Sequence, residues 1–343
     1  MFIDMSCQIR IEQFTRTKWN DLVCRAQGLS LQQMWQYGEA KQQGGHWKTI
    51  RMTFAQDGRV IGAAQANLRM LPFVNRGLIW LSRAPLLFDA DEQSQASQLE
   101  AIFEQLKEYW VNRQKMYLRI APNVAFSKEN LSLFARLGYS IISSSPGWTS
   151  MRIDLTLPLD TLMKQMRKNW RQSLQKSMES KMVINEGLTT ELLKKFSLDL
   201  RELRQTKDFR GGVTSEFVGA IIKCSSDETI LRVFSAELAG QHLGSIIIAY
   251  YGDMAFYLAG AVNDIGRHIS ANHNLLWQAI QHARSEGYRW FDLGGAHPVN
   301  TPPGILYFKQ GLGGQEYQLM SEIEACPAGW TYKILKKIIA AKR

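Results

Sequence analysis

No two cysteines in this sequence are spaced as CxxC. Cys7, Cys24, Cys224 and Cys326 stand far apart, which argues against both a zinc site and a disulfide framework and fits a reducing compartment. The histidines His46, His242, His268, His273, His282 and His297 show no metal-ligand pairing, so no metal is expected. A GxSxG elbow is also missing, which speaks against a serine nucleophile. No apolar run approaches the roughly 18 residues of a membrane span, and the opening MFIDMSCQIR lacks the basic-then-apolar order of a signal peptide. The expected location is cytoplasmic, with a peripheral position at the inner face of the membrane left open. Acid is in deficit: 31 Asp and Glu against 41 Lys and Arg give a net charge of +10, which favours an anionic partner such as nucleic acid, a phosphorylated molecule or a membrane surface.

What is present has the pattern of a folded protein of two ordinary domains, since 343 residues suffice for two cores. Periodicity predicts helices over 19–26, 30–41 with Ser30 as N-cap, 94–112 and 129–137, and strands over 78–82, 116–120 and 139–143. Asp57-Gly58 between the apolar alternations 47–55 and 59–71 predicts a β-hairpin. Pro146 and Gly147 mark the expected boundary. It gives one domain over 1–147 and another over 148–317, with 318–343 packing back on the first.

The second half predicts a strand over 149–155, one long basic amphipathic helix over 159–181, and helices over 191–207 and 215–225. Three consecutive strands follow at 229–238, 241–251 and 254–260, then a helix at 272–286 stopped by Gly287 and a strand at 288–293. A glycine turn at Gly294-Gly295, a Pro302-Pro303-Gly304 break and a short segment 305–310 complete the pattern. Asp292 reads as a structural residue that fixes the glycine turn.

That order resembles the acyltransferase fold of the GNAT type, and the first half repeats it more faintly. The fold class is thus α/β (α+β), with two GNAT-like domains in tandem, each a mixed, largely antiparallel sheet flanked by helices. Local sequences are similar to the FemAB family of peptidoglycan-bridge aminoacyltransferases and to the related acetyltransferase-like group of polysaccharide clusters. The matching stretches are QMWQYGEAKQQGGHW from Gln33, LSRAPLL from Leu81, RIAPN from Arg119, PGWTSMRIDLTLPLDTL leading into RKNWRQSLQKS, and GYRWFDLGG with GILYFKQGLGG. The chain departs from the family at Ala84, where glycine is usual before Pro85, and at Asp89, which is displaced by one position from the usual acid. It also lacks the coiled-coil insertion that some members use to bind tRNA.

The resemblance implies attack of an amine on an activated acyl group, with Lys309 at the transfer site to stabilise the oxyanion and Phe308 beside it. It also implies an acceptor site, a nucleotide-linked or lipid-linked sugar precursor held by Lys41, Thr206, Lys207 or Arg210, and Tyr257. The basic residues Lys164, Arg167, Lys168, Arg171, Lys336 and Lys337 are candidates for contact with tRNA or an anionic membrane. A coenzyme A enzyme of this fold usually carries R/Q-x-x-G-x-G/A; here Arg267–Asn272 reads RHISAN, which favours aminoacyl-tRNA over acyl-CoA as donor. Three readings follow. The first is transfer of an amino acid from aminoacyl-tRNA to an amine of a peptidoglycan or polysaccharide precursor. The second is an acyl-CoA-dependent N-acyltransferase acting on an amino sugar of capsule or lipopolysaccharide. The third is a non-catalytic module that binds precursor or tRNA.

Overall fold

The structure, a computed structural model, describes residues 7–72, 75–88, 92–206, 213–225 and 230–329. Among these, no helix is long and apolar enough to cross a membrane. The chain divides into two compact units. One holds the described residues up to Trp148 together with those from Gln318 on; the other is Thr149–Tyr317.

In the first unit, β1 (Gln8–Ile11), β2 (Lys48–Gln56), β3 (Arg59–Met70) and β4 (Gly77–Ser82) form an antiparallel run, and β5 (Leu86–Leu87) also pairs with β3. The hairpin forms as expected because Asp57 and Gly58 both take φ near +50 to +76°, the handedness that a two-residue hairpin turn demands. β6 (Tyr117–Ala121) then lies parallel to β4, and β7 (Ser140–Ile141) ends the sheet. Between β6 and β7 lies a strand from the far end of the described chain. In the second unit, β8 (Thr149–Asp154) follows directly, then β9 (Val183–Gly187), β10 (Leu231–Leu238), β11 (Gln241–Tyr251), β12 (Met254–Val262), β13 (Trp290–Asp292) and β14 (Gln315–Gln318). The inserted strand of the first unit is β15 (Ile323–Ala325).

The two sheets repeat one plan. The first runs β1-β2-β3-β4-β6-β15-β7 and the second β9-β10-β11-β12-β13-β8-β14, with one parallel pair in each, β4/β6 and β12/β13. Each parallel pair is connected through a helix, as a crossover requires. These are Glu92–Lys107, continued by a wider turn over Glu108–Arg113, and Ala271–Ser285. Helix Ala271–Ser285 is held by apolar burial: Leu275, Leu276, Trp277, Ala279, Ile280 and Ala283 are at most 2% exposed. Each such large side chain contributes ~1.5–3 kcal/mol when removed from water.

Two expected helices differ from the sequence reading. Residues 30–41 form a short 3₁₀ turn, Leu31–Gln33, and a helix, Trp35–Gln43, with extended Met34 between them and no capping bond from Ser30. Buried polar groups hold this break. Gln33 bonds the carbonyls of Gln65 and Ser82, Gln65 bonds that of Met34, and Arg51 lies 3.4 Å over the Trp35 ring while pairing with Glu39 at 2.9 Å. The long basic helix is likewise two, Leu159–Gln165 and Lys168–Glu179, because Met166 and Arg167 are extended. The edge strands β1, β9 and β14 and the internal strand β15 lie outside the sequence reading; they are short, and their pairing comes from segments distant in sequence.

β15 pairs with both β6 and β7, and its Ile323 is fully buried beside Ile120 and Ile141. The Arg119 guanidinium pairs with Glu322, and the Tyr117 hydroxyl donates to Glu324. Ile323→Ala should therefore lower the unfolding free energy by about 2–5 kcal/mol, measured by urea denaturation. A change near zero would mean that this strand does not support the first sheet.

Candidate active site

Strand β12 pairs with β13 only over Met254–Phe256 against Trp290–Asp292. Beyond that point the two part. β12 continues along β11 to Val262, across a register irregularity beside Tyr257. The other arm turns away through Gly294, at φ +71°, and binds β8, with Leu293 N donating to Met151 O and Ala296 N to Thr149 O, both at 2.8 Å. A Cβ on Gly294 would lie 2.9 Å from the Tyr257 carbonyl, so the crossing needs glycine both for its handedness and for its closeness.

Asp292 fixes this turn. Its carboxylate accepts bonds from Gly294 N at 2.8 Å and from Ser150 Oγ and Tyr317 OH, both at 2.5 Å, and it is 2% exposed. These donors satisfy a charge that would otherwise be costly to bury.

Lys309 reaches into the opening. It lies near the end of helix Pro303–Gln310, is 8% exposed, and donates from Nζ to Gly295 O at 2.9 Å. Its ammonium sits 5.8 Å from the centre of the Tyr257 ring. Burial pulls its pKa down to about 8, against an upward pull from Asp292. Tyr257 is half-buried, and desolvation raises its phenol above the ordinary value.

The helix carrying Lys309 is fastened to the break between the two basic helices. Arg167 N donates to Gly311 O at 2.9 Å, the Trp170 indole N–H donates to Phe308 O at 3.1 Å, and Asn169 donates to the Tyr307 hydroxyl at 2.6 Å. Phe308, Trp170 and His273 pack ring against ring, with centroids 4.6–5.8 Å apart. His273 is half-buried here, and desolvation lowers its pKa to about 4, so the imidazole is neutral. Trp170 belonged to a recognised motif, but only the fold shows that it supports Lys309. His297, just past the glycine turn, accepts from the N–H groups of Val299 and Asn300 and serves the turn.

The other candidates separate. Lys164, Arg167 and Lys168 are exposed, whereas the Arg171 guanidinium turns inward onto the carbonyls of Met163, Lys164 and Met166. Arg171 thus caps the first short helix. Lys41 is half-buried, with Nζ 5.7 Å from the Tyr37 ring, and burial lowers its pKa. Thr206 ends the helix Thr190–Thr206. Lys207, Arg210, Lys336 and Lys337, like Asp89, lie outside the described residues. At RHISAN, the helix Ala271–Ser285 begins after Ser270, which takes φ +60° and makes no side-chain capping bond.

Residues 162–310 match the model of the acetyltransferase (GNAT) domain. No curated protein matches the sequence. In structure, the chain is similar to FemX at a TM-score of 0.80 and 16% identity, covering 95% of this chain and 99% of that one. It is also similar, at a TM-score of 0.54 and 12% identity in each case, to two further proteins. One is a tandem GNAT protein from the clavulanic acid biosynthesis pathway, with 95% of this chain and 100% of that one covered. The other is L-PGS from Bacillus licheniformis, with 94% and 96% covered. Residues 162–310 thus form a GNAT-type acetyltransferase domain, and the chain as a whole shares the fold of FemX.

Proposed function

We propose that this acyltransferase moves an amino acid from aminoacyl-tRNA to an amine of a peptidoglycan or polysaccharide precursor, with Lys309 at the reacting centre. The observation that carries the reading is the burial of the Lys309 ammonium where β12 and β13 part, with a backbone carbonyl as its described hydrogen-bond partner. Burying a cation without a carboxylate on it opposes folding, so the position calls for a role other than stability. The amine nitrogen bonds to the ester carbonyl carbon, and the carbon–oxygen bond to the tRNA breaks. The proton lost by the amine leaves with the freed hydroxyl. The intermediate bears an oxyanion, and an ammonium held in a dry opening stabilises it more than it would in water. Tyr257 and Phe308 border the same opening. Thr206 with Lys207 or Arg210, and Lys41, are proposed to hold the anionic part of the acceptor. Exposed Lys164, Arg167 and Lys168 are proposed to meet tRNA or an anionic membrane. The departure of RHISAN from a glycine-rich loop supports the tRNA donor over acyl-CoA.

An assay with charged tRNA and a nucleotide-linked precursor tests the reading. Product is expected with tRNA and not with acetyl-CoA; turnover of acetyl-CoA alone would instead support the second donor. Lys309→Ala should lower kcat by about 100–1,000-fold, and unchanged turnover would remove Lys309 from the mechanism. Because the lysine acts charged, kcat should fall as pH rises through about 8. Lys309→Arg, charged throughout, should lose that fall while keeping part of the rate.

The same burial sets a stability prediction. The folded pKa of about 8 lies below the ordinary 10.5, so the unfolded chain binds this proton more tightly. The cost of burial is full below pH 8 and is relieved as pH rises toward 10.5. Lys309→Met should therefore be more stable than the parent at pH 7 by about 3 kcal/mol, with the gain shrinking above pH 8 in denaturation curves.

A further inference from the structure

The helix Pro303–Gln310 has two sides with different company. Lys309 faces the opening, whereas Tyr307, about 200° around the helix from it, is 55% exposed. Pro303 and Gly304 lie one turn before Tyr307 on the same side, and both are exposed. Ahead of the helix stands a built turn. His297 Nδ1 accepts from Val299 N at 3.2 Å and from Asn300 N at 3.3 Å, Thr301 N donates to His297 O at 2.9 Å, and Ile305 N donates to Pro302 O at 2.9 Å. With these backbone groups used inside the turn, its tip presents Val299. At 85% exposure this is the most exposed large apolar side chain among the described residues. Pro298, Pro302 and Pro303 beside it are exposed and carry no N–H for water to bond.

Positive charge borders this apolar ridge. The Arg167 guanidinium lies 5.1 Å from the centre of the Tyr307 ring, and the Tyr307 hydroxyl accepts from Asn169 Nδ2 at 2.6 Å. Lys164 and Lys168, on either side of Arg167 in sequence, are exposed as well. Neither 161–178 nor 293–315, the two stretches that meet here, contains an acidic residue; Asp160, Glu179 and Glu316 stand at or beyond their ends. A valine and three prolines with a tyrosine behind them, edged by bases, have the composition of a surface that meets anionic lipid. The aliphatic tip enters the boundary beneath the headgroups, the tyrosine sits at headgroup level with its ring inward and its hydroxyl wet, and the bases meet the phosphates. RNA suits the tip less. Nucleic-acid bases stack on aromatic and guanidinium planes, and Val299 and the prolines offer neither.

We propose that the turn 297–303 and Tyr307 dock on an anionic membrane surface, with Lys164, Arg167 and Lys168 against the lipid headgroups. Tyr307 and Lys309 share one short helix, so docking brings the helix that carries Lys309 to headgroup level, where a lipid-linked acceptor would be presented. That consequence rests on the transfer reading above; the docking itself does not.

The test is co-sedimentation of the full chain with vesicles of phosphatidylcholine, alone or mixed with an equal part of phosphatidylglycerol, beside binding to an RNA hairpin ending in CCA. Binding to the mixed vesicles is expected, weaker by more than about tenfold with phosphatidylcholine alone, and falling as salt is added. Val299→Ser removes apolar surface at an exposed tip without adding charge. It should weaken binding to the mixed vesicles about tenfold, while the unfolding temperature, RNA binding and turnover of a nucleotide-linked precursor stay unchanged. Lys168→Gln should weaken vesicle binding about fivefold. No binding to the mixed vesicles, or equal binding by Val299→Ser and the parent, would overturn the proposal. Loss of RNA binding in Val299→Ser would do the same by assigning the ridge to RNA. Vesicle binding is read without an acyl donor, so a failure of the transfer reading would leave it standing.

Discussion

The second unit depends on where one parallel ladder stops. Three residue pairs join β12 to β13, and then the strands separate. A parallel pair buried in a sheet ordinarily satisfies its backbone groups along its whole length. Ending it early leaves β12, from Tyr257 onward, without a described ladder partner on that edge, and opens a space bordered by backbone polar groups. Asp292 sits at the fork and ties Ser150, Gly294 and Tyr317 to one carboxylate. Those bonds turn a loss of pairing into a fixed shape, and the Lys309 ammonium is placed in that shape.

Rigidity around Lys309 comes from a second set of contacts. The break at Met166 and Arg167 frees a backbone N–H to meet Gly311, and it brings Trp170 against Phe308. Had 159–181 been one continuous helix, the N–H of Arg167 would have been used within it. The Arg171 guanidinium on the carbonyls of Met163, Lys164 and Met166 satisfies groups that the break leaves open. One basic residue of this helix thus works inside the fold, while Arg167 and Lys168 remain at the surface.

The repeated plan is used for different ends in the two units. Both have a parallel pair, a crossover helix and a divergence, yet one opening contains a buried cation, and the polar side chains described at the other are carboxamides. Since the backbone topology is shared, the difference lies in the side chains and in the point at which the arms separate. β15 closes the first sheet from the far end of the described chain, so its β6 and β7 edges are covered only when the chain returns.

The sequence by itself determined the alternation of elements, the Asp57-Gly58 hairpin, the tandem arrangement and the motif containing Lys309. Each of these is written in local periodicity, turn chemistry or a short contiguous pattern. It also marked Asp292 as a turn-fixing residue, because an acid before two glycines has few other local uses. Only the tertiary structure decided that Lys309 is buried, that His273 is neutral against Trp170, that Arg171 faces inward, and that the basic helix and the 30–41 helix are each broken. For Lys309, His273 and the two broken helices, the partners came from residues 14 to more than a hundred positions away, such as Gly311 for Arg167 and Gln65 for Gln33, and no local pattern encodes which distant carbonyl will arrive; Arg171 turns onto carbonyls five to eight positions back that only the break leaves open.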